Sequence, residues 1–138
     1  MKRFFSVFAL SILIVSLFTA AAPIPNTTFR LVQGLPEVMQ VGETYTVIVE
    51  VESDQPFLFA QALPSFQYVG KGVVAVQGGD HGTWSDTLPT TLEVTFEAKS
   101  PTAALDPSGV PVHVVAGARY PGGGVVVQDF LFKVIVVE

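Results

Sequence analysis

The segment 78–86 (GGDHGTWSD) holds the main cluster of polar, reactive side chains in the sequence. Asp80, His81 and Asp86 carry donor atoms that a divalent ion accepts, and the indole of Trp84 could stack on a sugar ring. A transition-metal site needs three or four protein ligands, and nothing in the sequence brings the second histidine near this segment. Because Asp and Gly are also ordinary turn residues, a polar turn is favoured over a metal or carbohydrate site.

Catalytic motifs are lacking elsewhere in the sequence. None of the five serines beyond residue 21 lies in a Gly-x-Ser-x-Gly nucleophile motif. The glycine run 122–124 joins two predicted strands and lacks the lysine of a phosphate-binding loop. The chain contains no cysteine, which excludes thiolate zinc sites, cysteine nucleophiles and disulfides. The sequence therefore predicts neither an enzyme nor a resident cofactor.

The first 21 residues have the pattern of a secretory signal peptide. Lys2 and Arg3 precede a run without charged residues from Phe4 to Phe18, and small residues follow at 19–22. Cleavage is expected after Ala21. The alternative, an uncleaved membrane anchor, is disfavoured because a helix needs about 20 apolar residues to span a bilayer. We therefore expect an exported protein (extracellular, cell-surface or periplasmic) with no transmembrane segment after processing.

Processing leaves a strongly acidic chain. Residues 22–138 contain five Lys and Arg against twelve Asp and Glu, a formal net charge of −7. Nucleic acid and anionic lipid are therefore not expected partners.

The 117 residues that remain after processing are the length of one domain. Its hydrophobic core has to hold it together, because the chain has no cysteine for the disulfides that exported domains often use.

Alternating apolar and polar residues predict β-strands throughout this domain. The two clearest strands, 43–52 and 90–99, alternate over their whole length, which is typical of a strand with one buried and one solvent-exposed face. Further strands are expected at 28–32, 57–62, 66–76, 110–119 and 125–137. The predicted core comprises Tyr45, Val47, Val49, Leu92, Val94, Phe96, Val112, Val114, Phe130 and Phe132.

The last predicted strand changes its apolar phase partway along. Val125 and Val127 share one phase, whereas Phe130 and the apolar residues that alternate after it share the other. The change falls near Gln128 and Asp129. It predicts a β-bulge there, since a bulge moves the side chains beyond it to the opposite face.

Seven or eight short strands in a chain of this length predict a two-sheet β-sandwich. The segment Val41–Val51 (VGETYTVIVEV) resembles the second strand of bacterial secreted immunoglobulin-like and fibronectin-III-like modules, in which a glycine turn precedes a long alternating strand. The resemblance implies an all-β, immunoglobulin-like sandwich and transfers no functional residue, because the cysteine pair and core tryptophan of antibody domains are missing. We expect 1–21 to be the signal peptide, 22–33 an extended arm and first strand, and 34–138 the rest of a single domain.

Carboxylates gather on the polar phase of two of these strands. In an immunoglobulin-like arrangement the strands 43–52 and 90–99 are neighbours, which would place four carboxylates on one outer face. A solvated face is the favoured interpretation, and bridging by calcium is the alternative. The carboxylates are Glu50, Glu52, Glu93 and Glu97, with Asp54 just beyond the first strand.

Two functions fit these features. The first is an exported, non-enzymatic sandwich that acts by protein–protein contact, with itself or another chain, as a surface, matrix or filament component. Apolar residues exceed what one-sided burial requires, and the first strand, with Phe29 and Leu31, could add to a neighbour's sheet edge. The second is an extracellular module that binds carbohydrate or a divalent ion, in which Trp84, Tyr68 or Tyr120 stacks on the ligand.

Overall fold

The computed structural model of the chain describes residues 25–65, 72–76, 83–85 and 90–138, so the predicted signal peptide lies outside the described residues. Within these ranges the chain forms nine β-strands and no helix. The strands are β1 (Thr27–Gln33), β2 (Val38–Gln40), β3 (Thr44–Ser53), β4 (Phe59–Pro64), β5 (Val73–Ala75), β6 (Thr83–Ser85), β7 (Thr90–Ala98), β8 (Val110–Arg119) and β9 (Val125–Val137).

The strands form two sheets, with the order β1-β3-β7-β5 in one and β2-β9-β8-β4-β6 in the other. Neighbouring strands are antiparallel except β2 and β9, which run parallel. The series β1-β3-β7 and β9-β8-β4 follow the A-B-E and G-F-C orders of an immunoglobulin domain. The predicted all-β, two-sheet immunoglobulin-like sandwich is therefore confirmed, with the three-residue strands β2, β5 and β6 adding to its edges.

The chain between β4 and β7 departs from the immunoglobulin path. β5 pairs with β7 in the four-stranded sheet, and β6, which comes later, pairs with β4 in the five-stranded sheet. In immunoglobulin domains the strand beside C precedes the strand beside E, since C′ comes before D in the chain. The two sheet edges are thus filled in the opposite order here.

The predicted inward phases of β3, β7 and β8 are confirmed. Val47 and Val94 face each other across β3 and β7, and both are buried. Phe96, mid-way along the inner face of β7, is 1% exposed. β8 alternates buried and half-buried residues from its first residue to Ala118. Phe130 and Phe132 were predicted to belong to the core. They are half-buried and pack against the edge of the hydrophobic core.

The predicted β-bulge in the last strand is wrong. β8 and β9 pair residue by residue from Val110 opposite Val134 to Arg119 opposite Val125, with no shift of register. The inner phase of β9 therefore stays the same throughout, and Val125 and Val127 lie on the outer face, 56% and 61% exposed. A register irregularity occurs instead in β1, between Leu31 and Gln33.

The long loop between β7 and β8 is fixed to the last strand by one buried threonine. The backbone N–H of Thr102 donates to the carbonyl of Val136 at 3.1 Å, and the Val136 N–H donates to the Thr102 hydroxyl at 2.9 Å. Gly72 adopts a positive φ of 91° beside this threonine, where an added Cβ would lie 2.7 Å from Thr102 Cγ2. The crossing loop is therefore part of the packed structure.

The inward phase of β7 can be tested by paired alanine variants. Phe96→Ala is expected to lower the free energy of unfolding by about 3–5 kcal/mol, because it removes a buried ring and leaves a cavity. Glu93→Ala, on the outer face of the same strand, should change it by less than about 1 kcal/mol. Denaturant melts of both variants measure the difference, and a more damaging Glu93→Ala would show that the strand is oriented the other way.

Candidate functional site: the outer face of the five-stranded sheet

The polar segment considered for metal or sugar binding falls mostly outside the described residues. Tyr68, Asp80, His81 and Asp86 all lie there. The backbone of Trp84 lies in β6, at the edge of the five-stranded sheet. Metal binding or ring stacking by these residues therefore stays a prediction.

Tyr120 belongs to the core and is not a stacking platform. Its side chain is 3% exposed, and its ring meets Phe57 edge-on with centroids 6.5 Å apart. Its hydroxyl forms hydrogen bonds with Ser53 Oγ, at 2.7 Å, and with Thr27 Oγ1. These bonds join the end of β8 to the end of β3 and the start of β1. The proposed role of Tyr120 in ligand stacking is wrong because the ring is enclosed.

The first strand is already part of the protein's own sheet. β1 pairs with β3 along its length, and Phe29 is 6% exposed within the core, so it is not available to a partner while that pairing lasts. Leu31 is 38% exposed. Among the described strands nothing pairs with the other side of β1. Of the two residues predicted at an interaction edge, Leu31 alone is open to a partner.

The carboxylates predicted to share one face do so, but nearby cations neutralise two of them. β3 and β7 are neighbours as expected. Arg30 Nη2 lies 2.8 Å from Glu50 Oε1, and Lys99 Nζ lies 2.7 Å from Glu97 Oε1. The hydrogen bond and the charge of Glu50 raise the pKa of Arg30 above its ordinary value. No group of three metal-ligating side chains that could hold a metal ion occurs in the described part of the chain. Calcium bridging stays a prediction.

The outer faces of the two sheets differ in character. Cross-strand pairs on the four-stranded sheet include Thr46 with Thr95, whose hydroxyls are 2.9 Å apart, and Glu50 with Thr91. This face is polar, as the solvent side of an antiparallel sheet usually is. The outer face of the five-stranded sheet is instead largely apolar. We call the part of it that surrounds Gly117 the apolar face; its residues are Phe59, Gln61, Leu63, Val115, Gly117, Arg119, Val125, Val127, Asp129 and Leu131. The outer face continues beyond this part with Pro111, His113, Lys133, Ile135 and Val137.

A groove of about 320 Å³ runs across the apolar face. Its floor is low at Gly117, where an added Cβ would lie 3.2 Å from Val127 Cγ1. Leu131, further along β9, is 64% exposed. The residues that line the groove are Phe59, Gln61, Leu63, Val115, Gly117, Ala118, Arg119, Val125 and Val127.

Two opposite charges flank this groove. Arg119 lies at one end, opposite Val125, and makes no ion pair with any residue of the described ranges. Asp129 lies beyond the other end, opposite Val115, and is exposed. Its Oδ2 is 3.6 Å from Nε2 of His113 on the neighbouring strand. The groove is thus an apolar surface with one cation and one anion at its ends.

Sequence reasoning missed this site because it placed Val125 and Val127 on the buried phase. The signal that could have revealed it was present. Val125 and Val127 have the same parity as Leu131 and Ile135, and residues of one parity in a regular strand share one face. Without a bulge, all four valine, leucine and isoleucine side chains are on the outside.

Comparisons with known proteins bear on the fold alone. No family model and no curated protein matches the chain. A structure of murine CRIg is 9% identical, covers 82% of this chain and 99% of its own length, and has a TM-score of 0.41. A chimeric titin Z1Z2 carrying a KLER peptide from decorin is 12% identical, with coverages of 83% and 98% and a TM-score of 0.38. The human F-spondin reeler domain is 11% identical, with coverages of 88% and 91% and a TM-score of 0.41.

Within the described residues, no helix has the length and apolar character that crossing a membrane requires.

The hydrogen bonds of the Tyr120 hydroxyl to Ser53 and Thr27 predict the effect of removing that hydroxyl. Tyr120→Phe keeps the buried ring but leaves the hydroxyls of Ser53 and Thr27 without that partner, so the free energy of unfolding should fall by about 1–3 kcal/mol. Tyr45→Phe, at a half-buried tyrosine of β3, is the matched control and should cost less. Equal stability of Tyr120→Phe and the unvaried protein in urea melts would show that these hydrogen bonds do not stabilise the fold.

Proposed function

We propose that this chain is an exported, non-enzymatic immunoglobulin-like module that acts by protein–protein contact in the periplasm, at the cell surface or outside the cell. The observation that carries the proposal is the apolar face. Val125, Val127 and Leu131 expose more than half of their surface on one side of a single sheet. Contiguous exposed apolar surface is typical of sites that another macromolecule covers.

The contrast between the two sheets strengthens this interpretation. Both sheets belong to the same sandwich and meet the same solvent. One carries mostly threonines and glutamates outward, and the other carries a larger share of valine, leucine and phenylalanine among its outward residues. Burying apolar surface against a partner lowers the free energy by about 25 cal/mol for each Å² removed from water. A protein partner would recover that free energy.

The chemistry of the groove favours contact over catalysis. Among its lining residues Arg119 is the single charged side chain. A catalytic site needs a nucleophile or an acid–base pair within hydrogen-bonding reach of the reacting atoms. The groove instead offers shape, apolar surface and one cation, which are the elements of a recognition surface.

Strand addition at β1 is a second route to protein contact. β1 is a seven-residue edge, whereas the described edge strands β2, β5 and β6 have three residues each. Leu31 and Val32, the latter 49% exposed, lie on this edge. The register irregularity after Leu31 and the charge of Arg30 work against pairing, because bulges and charges are features that protect sheet edges. We therefore place the main contact on the apolar face.

Export predicts a definite N-terminus for the mature protein. When the full chain is produced with its own leader in a bacterium, the protein recovered outside the cytoplasm should begin at Ala22, because residues 19–21 fit the small-residue preference of the processing enzyme. Intact-mass measurement of the secreted protein tests this. Retention of Met1–Ala21 in membranes would contradict cleavage and favour an anchor.

Contact through the apolar face predicts site-specific crosslinking in the producing cells. A photoreactive amino acid at Val127 should give a discrete protein adduct, because that side chain would lie against the partner. The same probe at Thr91, exposed on the outer face of the four-stranded sheet, is the matched control and should give none. A probe at Val32 reports on strand addition. Absence of an adduct from Val127, or equal adducts from Val127 and Thr91, would overturn the proposed contact face.

A further inference from the structure

We infer that the protein partner of the apolar face is a second copy of this chain, bound through the same face in a two-fold symmetric dimer. The inference rests on the proposed function, since it names the partner for the same surface. In a two-fold symmetric dimer every contact occurs twice: if one residue of the first copy contacts a second residue of the other copy, the same two residues also meet with the copies exchanged. The arrangement of charges on the apolar face meets that condition.

Arg119 and Asp129 are diagonal to each other across the groove. Arg119 faces Val125 on the neighbouring strand, and Asp129 lies four residues beyond Val125. One strand spacing of about 4.8 Å and four residues of about 3.4 Å each place the two Cα atoms about 14 Å apart. The midpoint between them falls beside Gly117 and Val127, which face each other at the low floor of the groove.

Consider a two-fold axis that passes over that midpoint, lies in the plane between the apolar faces of the two copies and is perpendicular to the diagonal. This axis creates two pairs of opposite charges. Arg119 of each copy then meets Asp129 of the other, while Val127 and Gly117 lie near the axis. The same rotation carries the exposed Leu131 towards the Phe59 end of the second copy. Leu131 therefore meets apolar surface, and Arg119 faces Asp129, which also lies 3.6 Å from His113 of its own chain.

The same rotation determines the angle at which the strands of the two copies cross. The diagonal is tilted by roughly 20° from the strand direction, so the rotation crosses the strands of the two copies at about 40°. Face-to-face sheets in sandwiches keep their strands within about 30° of each other. The crossing in the dimer is thus about 10° wider than in that packing.

The acidic character of the chain also favours this pair of faces. Glu50, Glu93 and Glu97 lie on β3 and β7, in the other sheet. Contact through the apolar faces places those carboxylates on the far sides of the dimer, where their mutual repulsion is weak because it falls with distance and is screened by salt. Contact through the four-stranded sheets would bring them together.

Charge reversal tests the symmetric pairing. In the exported protein, Arg119→Asp and Asp129→Arg should each weaken self-association at least about tenfold, because each variant places like charges opposite each other at two points of the dimer. An equimolar mixture of the two variants should associate again as a heterodimer, since both cross-pairs are then opposite in sign. Thr91→Arg, on the other sheet, should associate as the unvaried protein does. Sedimentation equilibrium of each sample and of the mixture measures these outcomes.

Several results would overturn the inference. A monomeric unvaried protein at about 100 μM, far above the Kd values of most specific complexes, excludes the dimer. Self-association that neither variant weakens, or a mixture that stays monomeric, excludes the Arg119–Asp129 pairing. The photoadduct at Val127 separates the two levels of the proposal: a mass of two chains supports both, an adduct with a different protein overturns the dimer and keeps the contact face, and no adduct overturns both.

Discussion

Burial of one apolar layer between two sheets is the interaction on which the rest of this protein depends. The chain has no cysteine, so no covalent link holds the strands when packing weakens. Val49 of β3, Val94 of β7 and Val114 of β8 are fully buried near the middle of this layer. The inner face of β4 and β8 is lined with small side chains, Ala60 opposite Ala118 and Ala62 opposite Ala116. Larger buried side chains elsewhere in the layer, such as Val114 of β8 and the ring of Phe96, fill the rest of the space between the sheets.

This requirement determines the inward half of each strand and leaves the outward half free to vary. On β3 and β7 the outward positions carry threonine and glutamate apart from Ile48, and Arg30 and Lys99 form ion pairs with two of the carboxylates. On β8 and β9 most of them carry apolar side chains, among them Val115, Val127 and Leu131. Nothing in the packing of the core demands that difference, because outward side chains take no part in it. The difference is therefore where function is to be sought, and the apolar face follows from it.

The inward phases of β3, β7 and β8 could be predicted because strict alternation over nine or ten residues allows one burial pattern. The outer face of β9 could not be predicted in this way. Pattern reasoning assigns apolar residues such as Val125 to the buried side of a strand, whereas both sides of β9 carry apolar residues. The enclosure of Tyr120 was also beyond reach, because its hydroxyl partners are 67 and 93 residues away in the chain. The short strands β2 and β6 were missed because three residues are too few to show a period. Their pairing depends on the register of β9 and β4.

The parallel pairing of β2 with β9 has a consequence for the timing of folding. Val38 lies opposite Ile135, and the carbonyl of Glu37 accepts a hydrogen bond from the Ile135 N–H at 2.8 Å. The sandwich therefore cannot close until 125–137 are available to meet a segment almost a hundred residues earlier. Pairing at such separations makes folding slow, on the order of milliseconds to seconds. A growing chain of this protein can therefore not complete the sandwich before residues 125–137 have been synthesised.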